Sequence, residues 1–483
     1  MTPLAVIATV LGYIAVLFVV AWLSGRRADN AGFFTGNRST PWYMAAFAMI
    51  GAAISGVTFI SVPGSVAVDS FSYMQMVLGF TVGQAVIAFV LIPLFYRLRV
   101  VSLYQYLDDR FGVASHRTGA WFFFVSKMLG AALRVYVVCA VMQLLVFDRL
   151  GLPFWLNTAA TMLLVWLYTQ RGGVKTLIWT DTLKTLCLVA GIVLSIVFIM
   201  RALDFDLPRT AEAVAASPYS RMFFFDDGAS PRYFWKMFAA GIFLLVAMTG
   251  LDQDMMQRNL SCRSPRDAKV NILVTAVCQA AVIFLFLVLG VLLYIYMDRN
   301  GIAVPERSDE VFARVAVQSG LPLAVGVLFV VGLISSTYSA AGSALTALTT
   351  SFTVDVIDGP QRFGERRLTR VRRGVHAGMA VMMGGVILLF GYFADDSVIN
   401  LVYKVASYTY GPILGMFLFG MLTRRQVRDR WVPLAALAAP VLSALLQHFT
   451  AARYGYHIGF ELLIYNALFT MAGMLLLVKP KTE

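Results

Sequence analysis

Residues 45–66 have the sequence AAFAMIGAAISGVTFISVPGSV, and this stretch decides the fold. It is long and apolar enough to cross a bilayer, whose hydrocarbon core requires about 20 helical residues. It is nevertheless a poor continuous helix, because each internal glycine costs about 1 kcal/mol relative to alanine and proline lacks a backbone donor. The interrupting residues are Gly51, Gly56, Gly64 and Pro63. The stretch therefore predicts a membrane helix that is broken near its middle.

A break at this depth exposes backbone carbonyls, and membranes tolerate such carbonyls only where they line a cavity or bind something. Secondary transporters use broken helices of this kind to hold a cation and a solute near the bilayer midplane. Close packing of small residues against a neighbouring helix is the alternative explanation. The stretch alone leaves both explanations open.

The composition indicates a polytopic membrane protein. Of the 483 residues, 59% are hydrophobic and only 13% are charged, about half the charged fraction of a soluble domain. The mean hydropathy is +0.76. The four cysteines form no CxxC pair, which argues against a zinc site or a disulfide framework. We expect one membrane domain over residues 1–483, and no HExxH, GxSxG or P-loop motif suggests an enzyme.

Apolar segments of bilayer-spanning length occur thirteen times, which predicts an all-α fold of thirteen transmembrane helices. The segments are residues 3–24, 41–67, 73–97, 118–147, 152–170, 176–202, 233–258, 268–298, 320–352, 374–394, 397–422, 431–449 and 458–478.

The basic residues predict the orientation. Of the 39 lysines and arginines, 25 fall in one set of loops and ten in the other. Because cytoplasmic loops carry the excess of positive charge, we expect the N-terminus outside and the C-terminus in the cytoplasm. The net charge of +13 then follows from topology, and no nucleic-acid partner is needed.

Arg134 and Asp181 are ionisable residues inside predicted spans, where a charge requires a partner. Arg134 lies near the middle of the fourth span and should face a cavity that holds a carboxylate, either the protein's own or a ligand's. Asp181 lies about six residues into the sixth span. It could bind a cation, carry a proton, or pair with Lys184 one turn later.

A stripe of serines follows one face of the ninth span. Ser336, Ser339 and Ser343 have the spacing i, i+3, i+7, which places them on one side of a helix. Hydroxyl, carbonyl and carboxylate oxygens are the ligands that hard cations prefer. The stripe could bind sodium, or its hydroxyls could simply bond to their own helix.

The sequence resembles the sodium:solute symporter family over nearly its whole length. The matching segments are GNRSTPWY, GGVKTLIWTD, GLDQDMMQRNLSCRS and SAAGSALTALTTSFTVD. The resemblance implies two inverted five-helix repeats, residues 41–202 and 233–422, each beginning with a broken helix. It also implies that the helix at 3–24 and the two helices within 431–478 are peripheral.

The resemblance also implies two cation sites. The main sodium site would use the carbonyls of Gly51 and Ile54 and the hydroxyls of Ser336 and Ser339. A second sodium site, present in some members, would use Asp181, Ser339 and Ser343. The sequence departs from the family at two positions, since Ala340 and Gly342 stand where oxygen-bearing side chains are common.

Within the family, the sialic acid transporters are similar at the expected solute pocket. The matching residues are Ser55, Thr58, Phe71, Gln75 and Arg134. An arginine with hydroxyl and amide partners suits a carboxylated, polyhydroxylated solute, because its planar guanidinium binds a carboxylate through two bonds. Another organic acid or a sugar is the alternative.

These observations predict a sodium-coupled symporter that imports a small polar organic solute, such as a carboxylated sugar, by alternating access. We expect a monomer in a bacterial inner membrane, with sodium and the solute as its small-molecule partners. The alternatives are a proton-coupled or uncoupled carrier and a membrane sensor that has the transporter fold without transport.

Overall fold

The structure is a computed structural model that describes residues 3–25, 38–98, 102–170, 173–318, 320–393 and 398–479. These residues are organised as α-helices. Nine helices are long and apolar enough to cross a membrane, and two bent helix pairs raise the number to eleven. The described part of the chain is therefore a multi-pass, all-helical membrane protein, as the sequence predicts.

Fifteen principal helices follow one another along the chain. They are α1 (Pro3–Gly25), α2 (Trp42–Ala53), α3 (Gly56–Gly64), α4 (Tyr73–Val86), α5 (Val113–Met142), α6 (Phe154–Thr169), α7 (Gly173–Ala202), α8 (Phe234–Leu245), α9 (Gln253–Leu260), α10 (Pro265–Arg299), α11 (Leu323–Ser351), α12 (Glu365–Phe393), α13 (Val398–Leu422), α14 (Val432–Tyr454) and α15 (Leu462–Leu476).

The predicted break in residues 45–66 is present, and a second break follows α8. The axes of α2 and α3 meet at 56°, and the segment Phe234–Gly250 meets α9 at 69°. In the second break, Asp252 accepts a hydrogen bond from the backbone N–H of Met255 and so caps α9. Two of the spans expected from the sequence are short helices, since α6 has 16 residues and α15 has 15.

Helix α4 crosses α8 so closely that only glycine fits at the crossing. A Cβ added to Gly79 would lie 2.2 Å from the carbonyl oxygen of Phe238, and one added to Gly241 would lie 2.2 Å from that of Met76. Glycine allows the two backbones to touch, as is usual for packed membrane helices. The crossing packs α8, which is the first part of the second broken helix, against α4.

The long polar segment between α7 and α8 folds over the start of α4. It contains a short amphipathic helix, Leu207–Ala216, and continues through Arg221, whose backbone is extended. The backbone N–H of Phe71 donates to the carbonyl of Arg221 over 3.1 Å. This segment therefore covers the end of the bundle at which α4 begins.

Candidate solute and cation sites

The break between α2 and α3 leaves backbone oxygens without helical partners. Ile54 is extended, with φ −95° and ψ 104°, so the carbonyls at the end of α2, that of Gly51 among them, cannot all be bonded within the helix. Ser55 caps α3, because its Oγ accepts a hydrogen bond from the backbone N–H of Thr58 over 3.4 Å. A polar opening thus lies in the middle of an apolar helix.

A cavity of about 100 Å³ lies beside this break. Ser55 and Thr58 line it from the broken helix, and Arg134 lines it from α5. Its other polar or aromatic lining residues include Phe80, Ser126, Lys127, Thr249, Asp252, Asp254, Gln279, Ser343, Tyr403 and Tyr410.

Arg134 faces the cavity without a protein partner among the described residues. Its side chain is half-buried, and no hydrogen bond or ion pair to its guanidinium is found in the described part of the chain. Lys127, two turns earlier on α5, also lines the cavity but is fully engaged by two carboxylates. Arg134 is therefore the lining cation that is available to a carboxylated ligand.

The serine stripe of α11 reaches the break. A Cβ added to Gly56 would lie 2.9 Å from Oγ of Ser336, so this hydroxyl is packed against the first residue of α3. Ser339, one turn later, donates to Oδ1 of Asp181. Hydroxyl and carboxylate oxygens thus lie near a break that frees backbone carbonyls, and these are the donor types that fit a hard cation.

Five buried charges form a continuous cluster beside this site. The Nε and Nη2 atoms of Arg258 lie 2.9 and 2.8 Å from Oδ2 of Asp181, and its Nη1 lies 2.6 Å from Oδ1 of Asp254. The Nζ of Lys127 lies 2.7 Å from Asp254 and 3.1 Å from Asp252. All five side chains are at most 7% exposed. The cluster runs from Asp252 and Asp254, which line the cavity, to Asp181, which accepts a hydrogen bond from Ser339.

The residues of the predicted second sodium site are brought together only in part. Asp181 and Ser339 meet as expected, but Oγ of Ser343 donates to Oδ2 of Asp254 over 3.1 Å. The space beside Gly342 is filled as well, because a Cβ there would lie 2.0 Å from the hydroxyl of Tyr168. That hydroxyl donates to the carbonyl of Tyr338. An oxygen-bearing side chain at position 342 would collide with Tyr168.

Phe71 and Gln75 are not among the residues that line the cavity. Gln75 is fully buried; its Nε2 donates to the carbonyl of Arg232 over 2.9 Å, and its Oε1 accepts from the backbone N–H of Phe224 over 3.0 Å. Phe71 packs edge-on against Phe284, with ring centroids 6.1 Å apart. Both residues support the segment that covers the start of α4, a role that α4's own sequence does not reveal.

Two other findings were missed by the sequence analysis. Arg258, which follows the second break, is one of the 25 basic residues that the sequence assigns to cytoplasmic loops, yet it is 2% exposed and bridges Asp181 and Asp254. Tyr403 on α13 lines the cavity, and its hydroxyl lies 2.6 Å from that of Tyr73. For Arg258 a signal was available, because two aspartates so close together at the end of a span, Asp252 and Asp254, require cationic partners.

Comparison with known proteins identifies the family. The model of the sodium:solute symporter family matches residues 33–429. The chain belongs to the sodium:solute symporter family, a class of ion-coupled membrane transporters.

Two curated relatives illustrate the range of the family. The human sodium/iodide cotransporter is 25% identical over 416 residues, which cover 82% of this chain and 62% of the relative. The sodium/sialic acid symporter of Proteus mirabilis is 23% identical over 474 residues, which cover 94% and 90%. The chain thus spans about three-fifths of the first relative and most of the second.

Solved structures show the same fold. A sodium-coupled sialic acid symporter, solved in a substrate-bound outward-open state, superposes with a TM-score of 0.82 at 18% identity, covering 98% of this chain and 99% of the other. A nucleobase-cation-symport-1 transporter superposes with a TM-score of 0.55 at 14% identity, covering 93% and 95%.

Proposed function

We propose that this protein is a sodium-coupled symporter that imports a small carboxylated organic solute. The observation that carries the proposal is the half-buried guanidinium of Arg134, which faces a cavity beside a broken helix. A charge at this depth requires a counter-ion. A solute carboxylate would supply one, and Ser55 and Thr58 would contact its polar groups from the opposite wall.

The names of the relatives support an anionic solute. They are described as carriers of iodide, of monocarboxylates in the mouse and of sialic acid in Proteus mirabilis. Sialic acid combines a carboxylate with several hydroxyls, and it fits the pairing of Arg134 with the hydroxyls of Ser55 and Thr58. We therefore place carboxylated sugars first among the candidate solutes, ahead of simpler organic acids.

Sodium would bind at the break, between the carbonyls of Gly51 and Ile54 and the hydroxyls of Ser336 and Ser339. Closure of this site would join α2 to α11, and the solute cavity adjoins it through Ser55. An inward sodium gradient contributes about 2.3 kcal/mol per charge per 100 mV from its electrical part alone. The shared broken helix would couple this energy to movement of the solute.

Alternating access would follow from thirteen spans that include two inverted repeats, 41–202 and 233–422. The packing supports this assignment: α2 packs on α10 as α8 packs on α4, and α7 packs on α11 as α13 packs on α5. Each pair maps onto its equivalent when the repeats are exchanged.

We further propose a monomer in the bacterial inner membrane, with the N-terminus outside.

Uptake into proteoliposomes tests the function. We expect radiolabelled N-acetylneuraminic acid, or another carboxylated solute, to accumulate only when sodium is imposed outside, and we expect collapse of the gradient by a sodium ionophore to abolish accumulation. Equal uptake driven by sodium, potassium or a proton gradient would contradict sodium coupling.

A further inference from the structure

Lys184 is a wholly buried lysine without a hydrogen-bond partner. Its side chain is 0% exposed, and its Nζ finds no partner within the described part of the chain. It lies on α7, one turn after Asp181, and its Cδ is 3.6 Å from the position that a Cβ on Gly51 would occupy. The aliphatic part of the Lys184 side chain therefore packs against the end of α2, one turn along α7 from Asp181.

The buried cluster beside Lys184 lacks one positive charge. Asp181, Asp252 and Asp254 contribute three negative charges, and Lys127 and Arg258 contribute two positive charges. An uncompensated charge in this apolar interior is costly. The charged groups that act on Lys184 from its own and the surrounding helices are Asp181, Arg258, Arg134 and Asp254. Since Arg134 faces the solute cavity, Lys184 is the remaining cation that can neutralise the cluster.

In this charge-balanced arrangement, the oxygens expected to bind a second sodium ion are bonded within the protein. Arg258 occupies Oδ2 of Asp181 and Ser339 occupies Oδ1. Ser343 is bonded to Asp254, and the hydroxyl of Tyr168 fills the space beside Gly342. A sodium ion at Asp181 would thus find one carboxylate that is already paired and few other oxygens.

We propose that the ammonium of Lys184 is a tethered cation that takes the place of a second coupling sodium, so that the protein binds one sodium ion per cycle. The inference rests on the proposed function and specifies its stoichiometry. A second coupling sodium ion would enter and leave with the solute, whereas the charge of Lys184 is covalently fixed. The sodium gradient then drives the solute with a single ion.

Binding of ²²Na⁺ to the purified full-length protein, without any solute, tests this proposal. Scintillation proximity counting should give one sodium ion per wild-type protein and a Hill coefficient of one. Lys184→Gln should bind two ions, because removal of the ammonium leaves the cluster with a net charge of about −1, which a mobile cation can neutralise. Lys184→Arg keeps the tethered charge and should bind one ion.

The double variant Lys184→Gln/Asp181→Asn separates charge from packing. It removes the ammonium and one carboxylate together, and it should return the count to one. Two ions bound by the wild-type protein, or one ion bound by a stably folded Lys184→Gln protein, would overturn the tethered-cation proposal. Zero ions bound by the wild-type protein would instead contradict sodium coupling itself.

Discussion

Arg134 lines the cavity from α5, which belongs to a helix long and apolar enough to cross a membrane. The sequence alone predicts that it faces a carboxylate, because arginine keeps its charge at this depth. It does not reveal whether the carboxylate belongs to the protein. The nearby carboxylates Asp252 and Asp254 are bonded to Lys127, and neither is paired with Arg134 in the described part of the chain.

Arg134→Ala should weaken binding of a carboxylated solute by about 10- to 100-fold, since hydrogen bonds to charged groups contribute about 1.5–3 kcal/mol. Arg134→Lys should retain part of the affinity, because the charge remains and the two-bond geometry is lost. Calorimetric titration with the solute, in saturating sodium, measures both. Sodium binding should be unchanged in each variant; unaltered solute affinity in Arg134→Ala would remove this residue from the pocket.

Ser336 and Ser335 form a matched pair for testing the main sodium site. Both side chains are fully buried, and each hydroxyl also bonds its own helix, to Leu333 and Gly332. Only the Ser336 hydroxyl is packed against Gly56 at the break. Ser336→Ala should raise the sodium concentration for half-maximal binding roughly tenfold, through loss of one oxygen ligand.

Ser335→Ala is the control and should leave sodium binding near the wild-type value. Titration of sodium against thermal stability reports both variants. Equal effects of the two substitutions would mean that these hydroxyls stabilise α11 and do not bind the ion.

At the scale of helices, the break between α2 and α3 could be predicted from composition. Three glycines and a proline weaken the helix, and Ser55 is a capping residue type. The second break was expected only from the family resemblance, because the sequence of residues 246–252 has fewer helix-breaking residues. Tertiary contacts of Asp252 with Lys127 and Tyr410 accompany this break, and local sequence does not predict them.

The close contact at the α4–α8 crossing should make Gly79 sensitive to substitution. Gly79→Ala should lower stability by about 1–3 kcal/mol, because the new methyl group would meet a backbone carbonyl that cannot move independently. Gly385→Ala on α12 is the matched control, since no atom lies within 4 Å of its added Cβ, and it should be neutral or slightly stabilising. Melting temperatures in one detergent compare the two; a Gly79→Ala protein as stable as Gly385→Ala would contradict the close crossing.

We propose that the arginines and lysines of the loops orient the whole molecule in the membrane, and fusions to a reporter enzyme test this proposal. Alkaline phosphatase fused after residue 227 should be active, because the enzyme requires the oxidising periplasm for its disulfides. The same enzyme fused after residue 425 should be inactive, since that loop carries four arginines and should be cytoplasmic. The opposite pattern of activity would invert the proposed topology.

Hydropathy predicts a polytopic membrane protein and most of its spans, because the bilayer thickness sets the length of an apolar segment that crosses it. The site was predicted less completely. Ser55, Thr58, Arg134 and Ser336 lie at the break or cavity, whereas Phe71 and Gln75 support a covering segment that no local pattern reveals. Arg258 was assigned to a loop, because buried ion pairs between distant helices leave no periodic signal in a sequence.

The central claim is that sodium and a carboxylated solute bind to one protein in a coupled manner. A thermal-shift panel of sialic acids, other organic acids, neutral sugars and amino acids, run in sodium and in potassium at equal ionic strength, tests it most directly. We predict that a carboxylated solute raises the melting temperature in sodium and not in potassium. Stabilisation by that solute to the same extent in both salts would contradict the claim.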